Sequence, residues 1–227
     1  MAGLRRGIGG AVVVTVDGPA GVGKSTVARA LAAALGIPYL DTGAFYRALT
    51  LAVQRAGADS TDGEAVLQVA RASRLDYAGG AMLLDGEVVT DAVRAAEVGA
   101  LVSVVSAFPE VRRVVVQQQR DWVSRHGGRA VVEGRDIGTV VFPEAPVKVY
   151  LIADAAERAR RRAGDAEAAG LKVADIEHQL RARDHLDSTR EASPLRPAED
   201  AVVIDTTALP VEQVVALILG LVAEATD

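Results

Sequence analysis

The chain has 227 residues, 50% of them hydrophobic, with three histidines, no cysteine and a formal net charge of −5. That length and apolar content suffice for one large buried core, either a single α/β domain or a domain with a small insert. The acidic balance argues against a nucleic-acid or membrane surface as the main partner, and the absence of cysteine excludes disulfides and thiolate zinc sites; His126, His178 and His185 lack metal-ligand spacing.

Residues 1–10 carry Arg5 and Arg6, and only residues 11–16 follow before Asp17. This is too short for a signal segment or a spanning helix, so a flexible start on a cytoplasmic protein is expected. The first element is the run Val12, Val13, Val14, Thr15, Val16, Asp17, whose β-branched residues favour a strand. It passes into Gly18, Pro19, Ala20, Gly21, Val22, Gly23, Lys24, Ser25 and Thr26, a GxxxxGKS match, and then into an apolar helical stretch over 26–35.

A strand, a glycine-rich loop and a helix in that order read as a phosphate-binding loop. Glycines let backbone N–H groups turn inward around a phosphate, and the helix N-terminus adds partial positive charge. Lys24 can reach the β- and γ-phosphates of a nucleotide, and the Ser25 hydroxyl is placed to ligate a bridging Mg²⁺. Residues 18–26 are therefore candidate nucleotide-binding positions.

Gly36 should stop the first helix, and a second short strand is predicted over 37–40, ending at Asp41. Thr42 and Gly43 then turn into a helix over 44–49 that carries Tyr46 and Arg47 in its first turn. From residue 59 the character changes: a helix over 62–74 precedes strand-like runs over 75–77, 81–84 and 87–89 around the turn Asp85, Gly86. Helices resume over 94–106, so residues 59–106 read as an inserted subdomain too small to be stable alone, within a core of 11–58 and 107–227.

Pro109 opens a long helix over 108–126, and Gly127 and Gly128 end it. A strand over 130–132 runs into Glu133, Gly134, Arg135, Asp136, Ile137, Gly138 and Thr139, polar groups at the carboxyl end of a central strand where parallel sheets bind ligands. Strands are predicted over 147–152 and 202–205, with a closing helix over 210–223. Between them lie two Arg-rich helices, 157–169 and 173–190, flanking Gly170 and bearing Arg158, Arg160, Arg161, Arg162, Arg181, Arg183 and Arg190. Opposite a phosphate loop they read as a lid over about 155–190.

Taken together, the loop 18–26, the segment Asp41, Thr42, Gly43, Ala44, Phe45, Tyr46, Arg47, the segment 103–112 around Ala107, Phe108, Pro109, and the run 134–143 resemble the bacterial cytidylate kinases. These are nucleoside monophosphate kinases of the P-loop NTPase class. A looser match is Arg183, Asp184, Asp187 and Arg190 before Pro194 and Leu195. The resemblance covers essentially the whole chain. It implies a three-layer α/β fold with five parallel strands in the order 2-3-1-4-5, a monophosphate-binding insert with an antiparallel hairpin, a helical lid, and a monomer that moves a phosphoryl group from ATP, with Mg²⁺, to CMP or dCMP.

The same resemblance would place Arg47, Arg135 and Arg190 on the acceptor phosphate, and Thr42, Tyr46, Arg183 and Asp187 around the ribose. Ser103, Arg112 and Asp136 would read the base. Thr42 stands where the family more often has Ser, and Ser25 where some members have Gly. The acceptor oxygen is already ionised at neutral pH, so the transfer needs alignment and charge neutralisation rather than a general base. Lys24 and the lid arginines, with Arg158 and Arg162 expected to face inward, would supply that charge.

Two other classes remain open on the residues alone. A GTPase-type switch would need an Asn-Lys-x-Asp stretch, which the chain lacks. A phosphotransferase acting on UMP or a non-nucleotide such as shikimate would share the loop and fold, as would a nucleotide-binding module without turnover.

Overall fold

The computed structural model describes residues 11–164 and 172–226. The expected flexible start at 1–10, and the predicted end of the first lid helix with Gly170, lie outside the described residues. Five parallel strands form the central sheet: β1 (Val12–Asp17), β2 (Tyr39–Asp41), β6 (Arg129–Gly134), β7 (Val147–Ile152) and β8 (Val202–Asp205). Their order is β2-β6-β1-β7-β8, the 2-3-1-4-5 arrangement expected. The register sets Asp41 opposite Glu133, and Asp17 opposite both Gly134 and Tyr150. Polar groups are thereby gathered at one carboxyl edge, beside the loop that follows β1.

Burial on both sheet faces explains the Val-rich strands. On one face α1 (Lys24–Leu35) and α8 (Val211–Thr226) pack Val27, Leu31, Val214 and Ile218 against Val14, Val131 and Val149. On the other, α2 (Thr42–Arg55) and α5 (Pro109–Arg125) pack Phe45, Leu49, Val115 and Trp122 against Ala130 and Val132. The second strand starts two residues later than predicted; Pro38 has no N–H to give the ladder, and only its carbonyl is used, accepting from Val131 at 2.9 Å. Asp41 then N-caps α2, its carboxylate accepting from the Ala44 N–H at 3.1 Å.

The segment between α2 and α5 holds α3 (Gly63–Ala72), a three-stranded antiparallel sheet of β3 (Leu75–Ala78), β4 (Ala81–Leu84) and β5 (Glu87–Val88), and α4 (Ala96–Val105). Besides the expected turn at Asp85 and Gly86 there is a second, at Gly79 and Gly80, both with positive φ. Leu67, Leu75, Tyr77, Met82 and Leu84 of this segment belong to the same apolar cluster as Phe45, Trp122 and Val132. The Trp122 Nε1–H also donates to the Tyr77 carbonyl at 2.6 Å.

After β6 the chain makes one turn of π-helix, Ile137–Val141, which the sequence pattern did not signal. The two Arg-rich helices are α6 (Ala155–Ala163) and α7 (Val173–Thr189). No helix among the described residues is long and apolar enough to cross a membrane.

Candidate active site

The loop between β1 and α1 is shaped by close packing. A Cβ at Gly18, whose φ is 146°, would lie 2.3 Å from the Leu151 carbonyl oxygen, so only glycine lets β1 turn beneath β7. Gly23, with φ 92°, caps α1 without any side-chain acceptor, and the first turn of α1 carries no acid. Its N–H groups are thus left for an anion from outside. Lys24 is only 7% exposed, and its Nζ donates to the Pro19 carbonyl at 2.8 Å. Burial, reinforced by the positive charge of Arg135, pushes the Lys24 ammonium well below the ordinary lysine range.

Beside it, buried Glu133 accepts from the Tyr39 hydroxyl and interacts with Ser25. Burial, followed by the neighbouring Asp41 charge, pushes the Glu133 carboxyl upward. A hydroxyl and a carboxylate next to a phosphate cradle are the donor set of a hard cation that takes its other ligands from phosphate and water, so Ser25 and Glu133 fit Mg²⁺. Asp17 ties the two loops together, accepting from the Ile137 N–H at 2.9 Å and the Gly138 N–H at 2.8 Å. These bonds account for the π-turn, because they orient its first N–H groups toward β1.

The lid arginines divide differently from expectation. Arg158, expected to face the nucleotide, is buried beneath the loop, its Nη1 donating to the Ala20 carbonyl at 3.2 Å and to Asp184 at 2.5 Å. It does not line the cleft. Arg161 reaches the loop instead: its Nη1 donates to the Val22 carbonyl at 3.2 Å and the Thr206 hydroxyl at 3.0 Å, and its Nη2 to the Thr206 carbonyl at 2.6 Å. Arg162 lines the cleft as expected. Which of four clustered arginines faces which partner depends on Ala20, Val22 and Thr206, all remote in sequence, so helical periodicity alone could not sort them.

In front of the loop lies one continuous cleft of about 1170 Å³, more than a single small ligand fills. Eleven lysine and arginine side chains line it against six carboxylates, whereas the chain as a whole is acidic. The lining includes Thr42, Tyr46, Arg47, Ser103, Arg112, Arg135, Asp136, Arg183, Asp187 and Arg190, so the structure brings the sequence-derived acceptor residues together. Within the cleft Arg112 and Asp136, each 3% exposed, form an ion pair at 2.5 Å. The Arg112 guanidinium lies 4.9 Å from the centre of the Tyr46 ring, and its Nη1 donates to the Ser106 carbonyl at 3.1 Å.

Nearer the loop, Arg135 Nε donates to Asp187 at 3.0 Å, and Arg190 lies 3.5 Å from the other oxygen of that carboxylate. Burial, then the charge of Arg135, pushes Arg183 down to about 10. Thr42 donates to the Glu133 carbonyl at 2.7 Å, so its oxygen is left only as an acceptor. The Tyr46 hydroxyl, Arg112 Nε, Arg183 Nε and Arg190 Nη2 are buried without a hydrogen-bond partner. Unpaired donors crowded with like charges are stabilised by an anionic, oxygen-rich ligand.

Burial tends to raise the Asp187 carboxyl, but Arg135, Arg183 and Arg190 hold it below the usual carboxylate range. A carboxylate depressed in the folded state contributes stability above its unfolded value, near 3.8, and loses that contribution as pH falls through the folded value. Asp187→Asn should therefore cost about 1 to 3 kcal/mol at pH 7, with the deficit shrinking below about pH 4. Urea unfolding at pH 7 and at about pH 3 and lower checks this; a deficit that does not change with pH would assign Asp187 no such role.

Tyr39, Asp17 and Thr206 were given no site role from the sequence, and Glu133 and Arg161 were named only within the polar run after β6 and the Arg-rich helices, without a role of their own. Glu133 had a usable signal, being an acid at the carboxyl end of a buried strand; the others are defined by partners far along the chain.

The family model for cytidylate kinase matches residues 14–224. The chain is 52% identical over 223 residues to a cytidylate kinase of Mycolicibacterium paratuberculosis, covering 95% of this chain and 97% of that protein. It is 48% identical to one of Rhodococcus opacus (94% and 95% covered) and 43% to one of Limosilactobacillus reuteri (94% and 96%). Among solved structures, a shikimate kinase from Bacteroides thetaiotaomicron superposes with a TM-score of 0.50 at 12% identity, covering 93% of this chain and 98% of that one, which shows a common fold.

Proposed function

The chain belongs to the cytidylate kinase family and is a nucleoside monophosphate kinase, and from that premise we propose that it passes the γ-phosphoryl group of ATP directly to CMP or dCMP beneath an Arg-rich lid. The observation that carries the choice of base is the buried Arg112–Asp136 pair, both members of which line the cleft. An acceptor and a donor side by side match the N4 amino group and N3 of cytosine, and set like against like when they meet uracil.

The chain's own groups account for the rest of the reaction. Backbone N–H groups of 18–26 and the α1 N-terminus hold the donor phosphates, and Lys24 leaves the Pro19 carbonyl to neutralise charge on the transferring group. Arg47, Arg135 and Arg190 grip the acceptor phosphate; Thr42, Tyr46, Arg183 and Asp187 surround its sugar, and Ser103 lies near the base. Thr206 to Pro210, which also line the cleft, receive the donor base, and Arg162 adds lid charge. Ser25 and Glu133 would hold Mg²⁺, which when bound supplies charge neutralisation across the donor phosphates. Closure of the lid excludes water, the competing acceptor.

The experiment is a panel of CMP, dCMP, UMP, AMP, GMP and shikimate with ATP and Mg²⁺. A kcat/KM for cytidine nucleotides at least about tenfold above every other acceptor supports the proposal, in line with two mismatched polar contacts on uracil. Equal use of UMP, or no use of CMP, overturns it.

A further inference from the structure

We propose that Asp184 is a positioning residue: together with Arg158 it clamps the Ala20 peptide of the phosphate loop to the helix that carries the acceptor-side groups, and so keeps donor and acceptor phosphates in register. The inference rests on the phosphoryl-transfer reading above.

Three sets of contacts converge on Ala20. Its N–H donates to Asp184 Oδ1 at 3.3 Å. Its carbonyl accepts from Arg158 Nη1 at 3.2 Å, and the same nitrogen donates to Asp184 Oδ2 at 2.5 Å. Its methyl group is buried in a cluster with Ala159 of α6 and Ile176 and Leu180 of α7. Both polar groups and the side chain of one loop residue are therefore held by α6 and α7. The contact continues at Gly21, where an added Cβ would come within 3.0 Å of the Arg158 Cβ.

Asp184 belongs to the same helix as the acceptor-side groups. It follows Arg183 and precedes Asp187 on α7, whose C-terminal cap is Arg190. Asp187 in turn takes Arg135 from the end of β6. A single helix thus touches the donor loop through one carboxylate and the acceptor arginines through another, less than one turn further on. Because a buried ion pair adds little net stability over an apolar replacement, its value here is geometric. In-line transfer is sensitive to such geometry, a displacement of about 1 Å being enough to cost on the order of a hundredfold in rate.

The test compares Asp184→Ala and Asp184→Asn with the unaltered protein. Measured quantities are kcat, KM for ATP and for CMP, melting temperature, and the number of ATP molecules lost to water per CMP phosphorylated. We expect kcat to fall about 10- to 100-fold with both KM values changed by less than about threefold, because alignment is lost while binding contacts remain. Transfer to water should rise relative to transfer to CMP, since water needs no register with the acceptor site.

A purely structural role lowers melting temperature and active fraction together and leaves that partition unchanged; a partition within about twofold of the unaltered protein overturns the proposal. If Asp184→Ala does not fold, Asp184→Asn carries the test, because it keeps an oxygen for the Ala20 N–H while turning an amide toward Arg158. Failure of the unaltered protein to phosphorylate CMP would instead overturn the functional reading on which this rests.

Discussion

Lys24→Ala should reduce phosphoryl transfer by roughly a thousandfold while leaving the melting temperature unchanged or raised. The rate loss follows from removing the one ammonium that meets charge developing on the transferring group, comparable to deleting a preorganised oxyanion donor, worth about 10²- to 10³-fold. The stability expectation comes from the site itself. Lys24 is buried against its own loop, next to Arg135 and Arg183, both of which disfavour its charge. Truncation relieves that repulsion, and the Pro19 carbonyl loses only one bond. Coupled-enzyme kinetics and a thermal melt on the same preparation decide the matter; turnover within tenfold of the unaltered protein would remove Lys24 from the donor site.

The second large effect is expected at Asp136. Asp136→Asn keeps the volume but removes the charge opposite Arg112, and its amide can rotate to donate. Against cytosine this sets donor facing donor, and against uracil it offers a bond to O4. Each unpaired buried contact costs about 1 to 3 kcal/mol, so kcat/KM for CMP should fall about 10- to 100-fold while that for UMP falls less or rises. Breaking a buried ion pair also destabilises the fold, by about 3 to 5 kcal/mol. The ratio of CMP to UMP use is immune to that loss, because both substrates meet the same enzyme population. A ratio unmoved by the substitution would reduce Asp136 to a support for Arg112.

The β1–loop–α1 unit could be read directly from the chain because its signals are local: β-branched residues, glycines at loop positions, then an apolar helix. Arg47, Arg135 and Arg190 came from resemblance, and the structure gathers them in the cleft from three elements: α2, the end of β6 and the C-terminal cap of α7. What escaped has a common cause. The roles of Arg158 and Arg161 are set by carbonyls of residues 20 and 22, more than a hundred positions earlier. The π-turn is organised by Asp17 from an equally distant strand. The Tyr39 bond to Glu133 joins neighbouring strands whose pairing no local pattern encodes.

The apolar cluster shared between the antiparallel segment and the main sheet has a consequence for how the molecule comes apart. Leu67, Tyr77 and Met82 cannot leave Phe45, Trp122 and Val132 without opening the apolar cluster that also packs one face of the main sheet, so this segment has no private core whose melting could precede that of the sheet. It is a continuation of the domain and could not be grafted onto another scaffold as a cassette. Calorimetry should accordingly record one cooperative endotherm, with amides of β4 exchanging only through the same global opening that releases β6.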